Sequence, residues 1–352
     1  MIYDTLGRPV RDLRISVTDR CNFRCTYCMP DSEYAWIERK EVLSFEEITR
    51  LVSVFLDLGV QKVRLTGGEP LMRRDLPLLA ASLSHVFRVK GGENNASDSI
   101  SYAILDLTLT TNGALLGDQA NSLFQAGLRR INISLDTLRE DRFKQITQRG
   151  DLSQVLAGIQ AARVAGMSPI KVNAVIIRGT NDDEIVDLVR YARDNSLEMR
   201  FIEYMDVGNA NGWSLEKTVT KQEILDVVNG VFPVREVGRD RGSAPAVDYE
   251  FVDGAGAIGI IGSVTEPFCS SCTRIRLTAD GKLVTCLFSE SGFDIKSMMR
   301  AGANDDELRQ KIQSLWSARN DRFSDMRWER LKSGSGYKPG EHKKIEMITL
   351  GG

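Results

Sequence analysis

Short apolar runs alternate with amphipathic stretches through the first part of the chain, and that rhythm sets the fold expectation. The runs at 13–17, 62–65, 104–109, 131–135, 171–177 and 199–202 read as strands. Between them, 44–58, 71–86, 115–126, 152–165 and 182–195 carry apolar residues at helical spacing. Ser44 and Glu47 have the spacing of a capping box, and Gly59, Gly127 and Gly166 follow the last turns of their helices. Regular strand–helix alternation predicts an α/β protein with a parallel sheet inside and helices outside. The expected architecture is a partial (βα)6 TIM-like barrel, with its reactive face at the C-terminal ends of the strands.

After Tyr204 the rhythm changes. A Gly/Asn-rich loop at 206–213 precedes a helix near 220–229, strands at 248–252, 258–261 and 274–277, and helices at 294–300 and 305–320. The expected division is a barrel over 1–210 and an α+β extension over 211–352 that covers the barrel mouth. The stretch 90–101 (KGGENNASDSIS) is nearly devoid of apolar residues and reads as a surface insertion between a helix and a strand.

Charge narrows the function classes. The 46 Lys and Arg nearly balance the 48 Asp and Glu, so no global field exists to attract nucleic acid or a membrane surface. No apolar run reaches the roughly 18 residues that span a bilayer. Any pull on an anionic ligand must come from a local cluster of cations. No apolar signal segment follows Met1, so the six cysteines are expected as reduced thiols in a cytoplasmic protein, or in the mitochondrial matrix for a processed eukaryotic form.

Those six fall into two sets of three. Cys21, Cys25 and Cys28 follow the first strand as CxxxCxxC, and Cys269, Cys272 and Cys286 form a second, looser set. Three thiolates on one loop can hold three irons of a cubane cluster and leave the fourth open to a small molecule. A structural zinc site is the alternative, but it normally needs four ligands, and the chain has only two histidines, His85 and His342.

Other candidates lie at strand ends and on strands. Thr66-Gly67-Gly68-Glu69-Pro70 follows a strand; glycines without a Cβ let a ligand reach the backbone, and Glu69 offers a carboxylate to a cationic amine. The same residues also suit a plain strand-to-loop turn. Cations interrupt strands that should be apolar in a parallel barrel: Arg14, Lys62 with Arg64, Lys171, Arg200, and Arg274 with Arg276. Buried charge needs a partner. Salt bridges to Glu198, Glu203 or Asp136 are one solution, and a polyphosphate ligand is another. Lys62 and Arg64 share a face, inward or outward. Thr110–Gly113 and 132–136 offer small polar groups to a ribose or a base, or cap the helices that follow. Met205 suits a core position as well as a ligand contact. A terminal Gly351-Gly352 suits a frayed end or a strand able to thread a narrow cavity.

Taken together, these motifs resemble the radical S-adenosylmethionine (SAM) superfamily and, within it, the GTP 3′,8-cyclase family of molybdenum cofactor biosynthesis. The resemblance runs through 11–30, 64–75, 130–137, 200–213, 268–288 and the final Gly-Gly. It implies two 4Fe–4S clusters, one on Cys21, Cys25 and Cys28 that binds SAM, and one on Cys269, Cys272 and Cys286 that faces GTP. It implies SAM contacts from Tyr27, Gly68, Glu69, Ser134 and Met205, and GTP contacts from Arg14, Arg64, Thr110, Lys171, Arg274, Ile275 and Arg276. Gly351 and Gly352 are expected to enter the active site. The implied enzyme is a lyase that converts GTP to (8S)-3′,8-cyclo-7,8-dihydroguanosine 5′-triphosphate. A flavodoxin- or ferredoxin-like protein would supply its electron. Cyclic pyranopterin monophosphate synthase would take its product, and a homodimer is compatible. The rival readings are a radical SAM enzyme acting on a peptide or RNA, a non-catalytic iron–sulfur electron carrier, and a zinc-stabilised binding module.

Overall fold

The structure is a computed structural model that describes residues 1–29, 34–91, 106–209 and 211–351. Six strand–helix units come first: β1 (Asp12–Ser16), α1 (Phe45–Asp57), β2 (Lys62–Thr66), α2 (Leu76–Gly91), β3 (Asp106–Thr111), α3 (Leu116–Gln125), β4 (Arg130–Ser134), α4 (Glu140–Thr147), α5 (Leu152–Val164), β5 (Ile170–Ile176), α6 (Ile185–Asp194) and β6 (Glu198–Glu203). Strands β1 to β6 pair in sequence order, all parallel. The capping box forms as expected, with Ser44 accepting from the Glu47 amide and Glu47 from the Ser44 amide.

The remaining chain forms α7 (Lys221–Asn229), β7 (Val234–Gly238), β8 (Val247–Phe251), β9 (Ala257–Ile261), β10 (Arg274–Leu277), β11 (Lys282–Val284), β12 (Phe293–Asp294), α8 (Ile295–Arg300), α9 (Asp305–Ser317), α10 (Phe323–Lys332) and α11 (Met347–Leu350). It also extends the sheet on both sides. β9 adds to β6 and β10 adds to β1, both parallel, and each carries an antiparallel pair outward. The result is one open twelve-stranded sheet, in the order β12-β11-β10-β1-β2-β3-β4-β5-β6-β9-β8-β7. Two edges separate the ends, so the barrel is partial.

Strand residues divide by face. Leu13, Ile15, Val63, Leu65, Leu109, Ile131, Ile133, Val172, Ala174, Met199 and Phe201 are buried against the helices, where α1 contributes Ile48, Leu51 and Phe55. The alternate residues face the inside of the curl and are mostly polar. Several boundaries differ from the sequence pattern. The helix expected from 71 starts at Leu76, because Pro70–Met72 forms a separate 3-10 turn and Asp75 takes a left-handed φ of 60°. Residues 182–184 are likewise 3-10 before α6. Of the polar stretch 90–101, Lys90 and Gly91 end α2, and the rest lies outside the described residues.

Candidate active site

The loop that leaves the C-terminal end of β1 carries Cys21, Cys25 and Cys28. It is clasped on two sides. The Gly68 amide donates to Thr18 O at 2.8 Å and the Glu69 amide to Arg20 O at 2.7 Å, while the Arg24 and Thr26 amides donate to the last carbonyls of α4 at 2.9 and 3.0 Å. A Cβ on Gly67 would lie 2.4 Å from Thr18 O, and one on Gly68 would lie 2.3 Å from Arg20 O. The paired glycines therefore admit the backbone of the cysteine loop. The Gly68 and Glu69 amides are both spent on the clasp, while Gly67 and Gly68 themselves line the chamber described below.

Glu69 is buried and serves the same clasp from its other side. Its carboxylate accepts from the Thr111 hydroxyl at 2.6 Å, the Asn112 amide at 2.7 Å and the Leu71 amide at 3.0 Å. Burial pushes its pKa up to about 7 against the pull of these donors. A carboxylate offers about four acceptor positions, so one remains for a ligand. Tyr27 donates to Asp136 at 2.6 Å, and Asp136 also accepts from the Val175 amide at 2.8 Å; burial raises Asp136 to about 6. Ser134 and Met205 line the same end of the interior.

Below this end lies a chamber of about 390 Å³ whose lining includes all six cysteines. The strand cations face it, Lys62 and Arg64 among them. Some have carboxylate partners. Lys62 pairs with Asp106 at 3.1 Å, Arg130 with the same Asp106 at 2.8 Å, Lys171 with Glu198, and Arg200 with Asp248 at 3.5 Å. Four have none among the described residues: Arg274 turns to Cys272 Sγ, and Arg14, Arg64 and Arg276 form a row. The three in the row are register partners across β10, β1 and β2, so their guanidinium groups stand side by side. Arg64 reaches only the neutral hydroxyl of Thr110 at 2.7 Å, and Arg276 Nε is buried without a partner. Burial, then Arg276, Arg64 and Arg274, holds Arg14 well below the ordinary arginine value. Burial and neighbouring arginines bring Arg64 and Arg276 to about 10. The row is a concentration of positive charge awaiting an anion.

The second set of cysteines closes the other end. Arg274 pairs in register with Asp12 at the start of β1, so Cys269 and Cys272 lie at the N-terminal edge of the sheet and not over its C-terminal mouth. Arg274 donates to Cys272 Sγ at 3.0 and 3.3 Å, Arg319 to Cys272 O at 2.8 Å, and Arg8 to Cys269 O at 2.9 Å. Burial alone would raise Cys272, but Arg274 and Arg319 outweigh it and bring it to about 6. Cys286 rises to about 12 through burial and Asp321. In the first set burial dominates throughout, with Cys21 at about 11, Cys28 at about 12 and Cys25 well above the ordinary thiol value.

One expected residue sits elsewhere. Ile275 is fully buried and does not line the chamber; it lies between Arg274 and Arg276 on the opposite face, as alternation along a strand requires. Gly351 packs on Thr66 and the Gly67 amide at the mouth, while Met347 and Ile348 contribute to the chamber wall. Gly352 lies outside the described residues. The sequence reading missed Arg8, Asp12, Asp106, Arg130 and Arg319. Asp12 and Asp106 do have a legible signal, namely an acid at the first position of a strand that also carries inward cations.

The donor sets suit iron–sulfur clusters better than zinc. Each set offers three free thiols and no histidine, one ligand short of structural zinc. A cubane spreads its cysteine sulfurs over several irons and asks for a wider set. Neither His85, on α2, nor His342, beside Glu290, lines the chamber. Buried thiols that push one another's pKa upward, as Cys21, Cys25 and Cys28 do, gain from a shared multivalent cation.

A partial parallel barrel with a CxxxCxxC loop after its first strand is the frame of the radical SAM class. The family model described as "Radical SAM superfamily" matches residues 15–192, and "Molybdenum Cofactor Synthesis C" matches 197–325. Among solved structures, Streptococcus suis SuiB bound to S-adenosylmethionine shares the fold with a TM-score of 0.58 at 14% identity, covering 91% of this chain and 68% of that one. The GTP 3′,8-cyclase of Staphylococcus haemolyticus is 45% identical over all of this chain and 99% of its own length. GTP 3′,8-cyclase 3 of Mycobacterium bovis is 45% identical over all of this chain and 90% of its own. The chain belongs to the GTP 3′,8-cyclase family of radical SAM enzymes. As a member of that superfamily it uses SAM and a 4Fe–4S cluster.

Proposed function

We propose that the chain is a GTP 3′,8-cyclase that closes a bond between C3′ and C8 of GTP in molybdenum cofactor synthesis. One observation carries this reading: Arg14, Arg64 and Arg276 stand in a row without carboxylate partners among the described residues, between two sets of three thiols that line one chamber. A triphosphate is the anion dense enough to offset three adjacent guanidinium groups.

In this reading Cys21, Cys25 and Cys28 hold the SAM-binding cluster, and Cys269, Cys272 and Cys286 hold a second one that faces the guanine. Bound there, the first cluster and SAM would supply one-electron chemistry. The protein's own residues bind, orient and enclose. Tyr27, Ser134, Met205 and the open position on Glu69 line the SAM end, with Gly68 acting through the clasp. Arg14, Arg64, Arg274, Arg276, Thr110 and Lys171 take the nucleotide. The Tyr27–Asp136 bond fixes the ring beside the cysteine loop, and the apolar turn at 347–350 keeps water from the mouth. The barrel residues 1–210 supply the first cluster and most of the wall. Residues 211–352 supply the second cluster, Arg274, Arg276 and the terminal segment whose Gly351 packs beside Thr66. A flavodoxin- or ferredoxin-like donor feeds the first cluster, and cyclic pyranopterin monophosphate synthase consumes the product.

The test is one anaerobic assay with iron- and sulfide-reconstituted protein, SAM, a strong reductant and each nucleoside triphosphate in turn. 5′-Deoxyadenosine is expected to form with GTP alone, and Arg276→Ala and Cys286→Ala should abolish it. Equal turnover with ATP or CTP would remove the GTP assignment.

A further inference from the structure

Asp206 follows Met205 on the loop after β6, and it is 2% exposed. Three side chains converge on its carboxylate: Arg327 of α10 (1% exposed), Tyr337, and Lys344, whose Nζ lies 2.6 Å from Oδ2 and 2.7 Å from the Asp206 carbonyl. Two cations on one carboxylate leave an excess of positive charge in a buried site. Aromatic faces absorb part of it. Lys344 Nζ lies 5.3 Å from the Phe288 ring and 5.0 Å from Phe323, and Arg327 lies 5.2 Å from Phe288. Phe288 and Phe323 stack at 4.3 Å, and the Phe288 amide donates to Cys286 Sγ at 3.5 Å. The knot thus touches the second thiol set.

Lys344 also begins the segment that crosses the chamber mouth. Asn209 fixes its backbone from both sides, accepting from the Lys344 amide at 2.8 Å and donating to its carbonyl at 2.7 Å. The Ile345 amide then donates to Ser289 O at 3.0 Å. Farther on, Ser16 donates to Thr349 O at 2.9 Å, Tyr34 meets the Thr349 hydroxyl at 2.7 Å, and Gly351 rests on Thr66. The segment 344–351 is a strap tied at its start to Asp206 and at its far end to β1 and β2.

We propose that Asp206 is a positioning residue that latches this strap across the mouth and sets it relative to the second thiol set. Replacing its carboxylate with an amide leaves two buried cations facing each other. Arg327 is held in α10 and donates to Ser263 O at 2.6 Å, so Lys344 is the cation that leaves, and the strap peels with it. The latch is a property of the chain itself, and its effect on turnover rests on the cyclase reading above.

The experiment is hydrogen exchange of the protein without nucleotide, read over residues 344–351 and over β4 and β5 as an internal standard. In Asp206→Asn the strap amides should exchange at least tenfold faster while β4 and β5 keep their protection. Lys344→Met, which keeps the apolar stem against Phe288 and Phe323, should loosen the strap less. The double variant should match Lys344→Met instead of adding the two effects, because it removes the stranded cation. Should Asp206→Asn fail to fold, Lys344→Met decides alone: a strap that exchanges within twofold of wild type overturns the latch. In turnover, Asp206→Asn should raise the ratio of 5′-deoxyadenosine to cyclised GTP at least fivefold with little change in KM. An unchanged ratio overturns the positioning role. Absence of any GTP-dependent product from the wild type would sink the cyclase reading and leave the exchange result standing.

Discussion

Gly68→Ala separates two roles for the paired glycines. If they admit a ligand, the substitution costs SAM affinity and leaves the ligand-free protein intact. If they admit the cysteine loop, as the geometry requires, the ligand-free protein is destabilised first. The new Cβ would lie 2.3 Å from Arg20 O and 2.6 Å from both Arg20 C and Asp19 O. Ordinary contact needs about 3.4 Å, so the two segments must part by about 1 Å, and both opposing groups are backbone. Forcing an extra carbon into a packed site costs about 1–3 kcal/mol. Parting also stretches two hydrogen bonds, Gly68 to Thr18 at 2.8 Å and Glu69 to Arg20 at 2.7 Å, each worth about 1 kcal/mol. The sum is about 3–5 kcal/mol. Unfolding entropy of about 2.1 cal/mol/K per residue gives about 0.74 kcal/mol/K for 352 residues, so Tm should fall by about 4–7 °C. Calorimetry on the ligand-free protein reads this directly, and iron content after anaerobic reconstitution should fall with it. A variant that melts with wild type yet binds SAM weakly would refute the clasp and restore the ligand role.

Arg276→Ala should weaken GTP binding by about 10- to 100-fold, from about 1.5–3 kcal/mol for a hydrogen bond to a charged group, yet leave the ligand-free protein as stable or more so, because burial and Arg274 already disfavour its charge. Isothermal titration and melting on one sample check both halves, and a destabilised ligand-free protein would contradict the unpaired row. Lys62 is depressed to about 8, first by burial and then by Arg64, against an ordinary 10.5. Its unfolded form holds the proton longer, so stability should rise between about pH 8 and 10.5, and Lys62→Met should flatten that rise in denaturant titrations. Gly351→Ala, with a φ of 71° and a Cβ 2.3 Å from Thr66 Cγ2, should displace the strap from the mouth and speed exchange at Leu350 without moving Tm by more than about 1 °C.

The sheet was legible because inward and outward residues alternate so regularly. Val63 and Leu65 pack on the helices while Lys62 and Arg64 line the chamber, and periodicity alone required that the two sets separate. What periodicity leaves open is which set faces inward; only the curl of the sheet decides that. The same rule puts the Ile275 side chain opposite Arg274 and Arg276, away from the chamber. The role of Gly67 and Gly68 was hidden for a different reason. It depends on Thr18 and Arg20 passing within 2.4 Å of their Cβ positions, a long-range contact that no local pattern encodes. α4 and β7 escaped because α4 is held by few apolar residues, chiefly Phe143 and Ile146, and β7 is a largely exposed edge strand.

The parallel pairing of β10 with β1 was the least legible feature and has the largest consequence. It joins residues more than 250 positions apart, and it does two things with one register. It sets Arg276 beside Arg14, which completes the unpaired row with Arg64. It also sends Cys272 past the N-terminal end of β1, while Cys21 follows the C-terminal end. The distance between the two thiol sets is therefore fixed by a strand of five residues, about 17 Å at about 3.3 Å per residue, and not by either cysteine loop. A register slip of one residue would turn Arg274 and Arg276 to the outer face and bring Ile275 inward. Loss of the cation row and misplacement of the second thiol set must then occur together. Any variant that weakens only one of them acts on a side chain and leaves the sheet as it is.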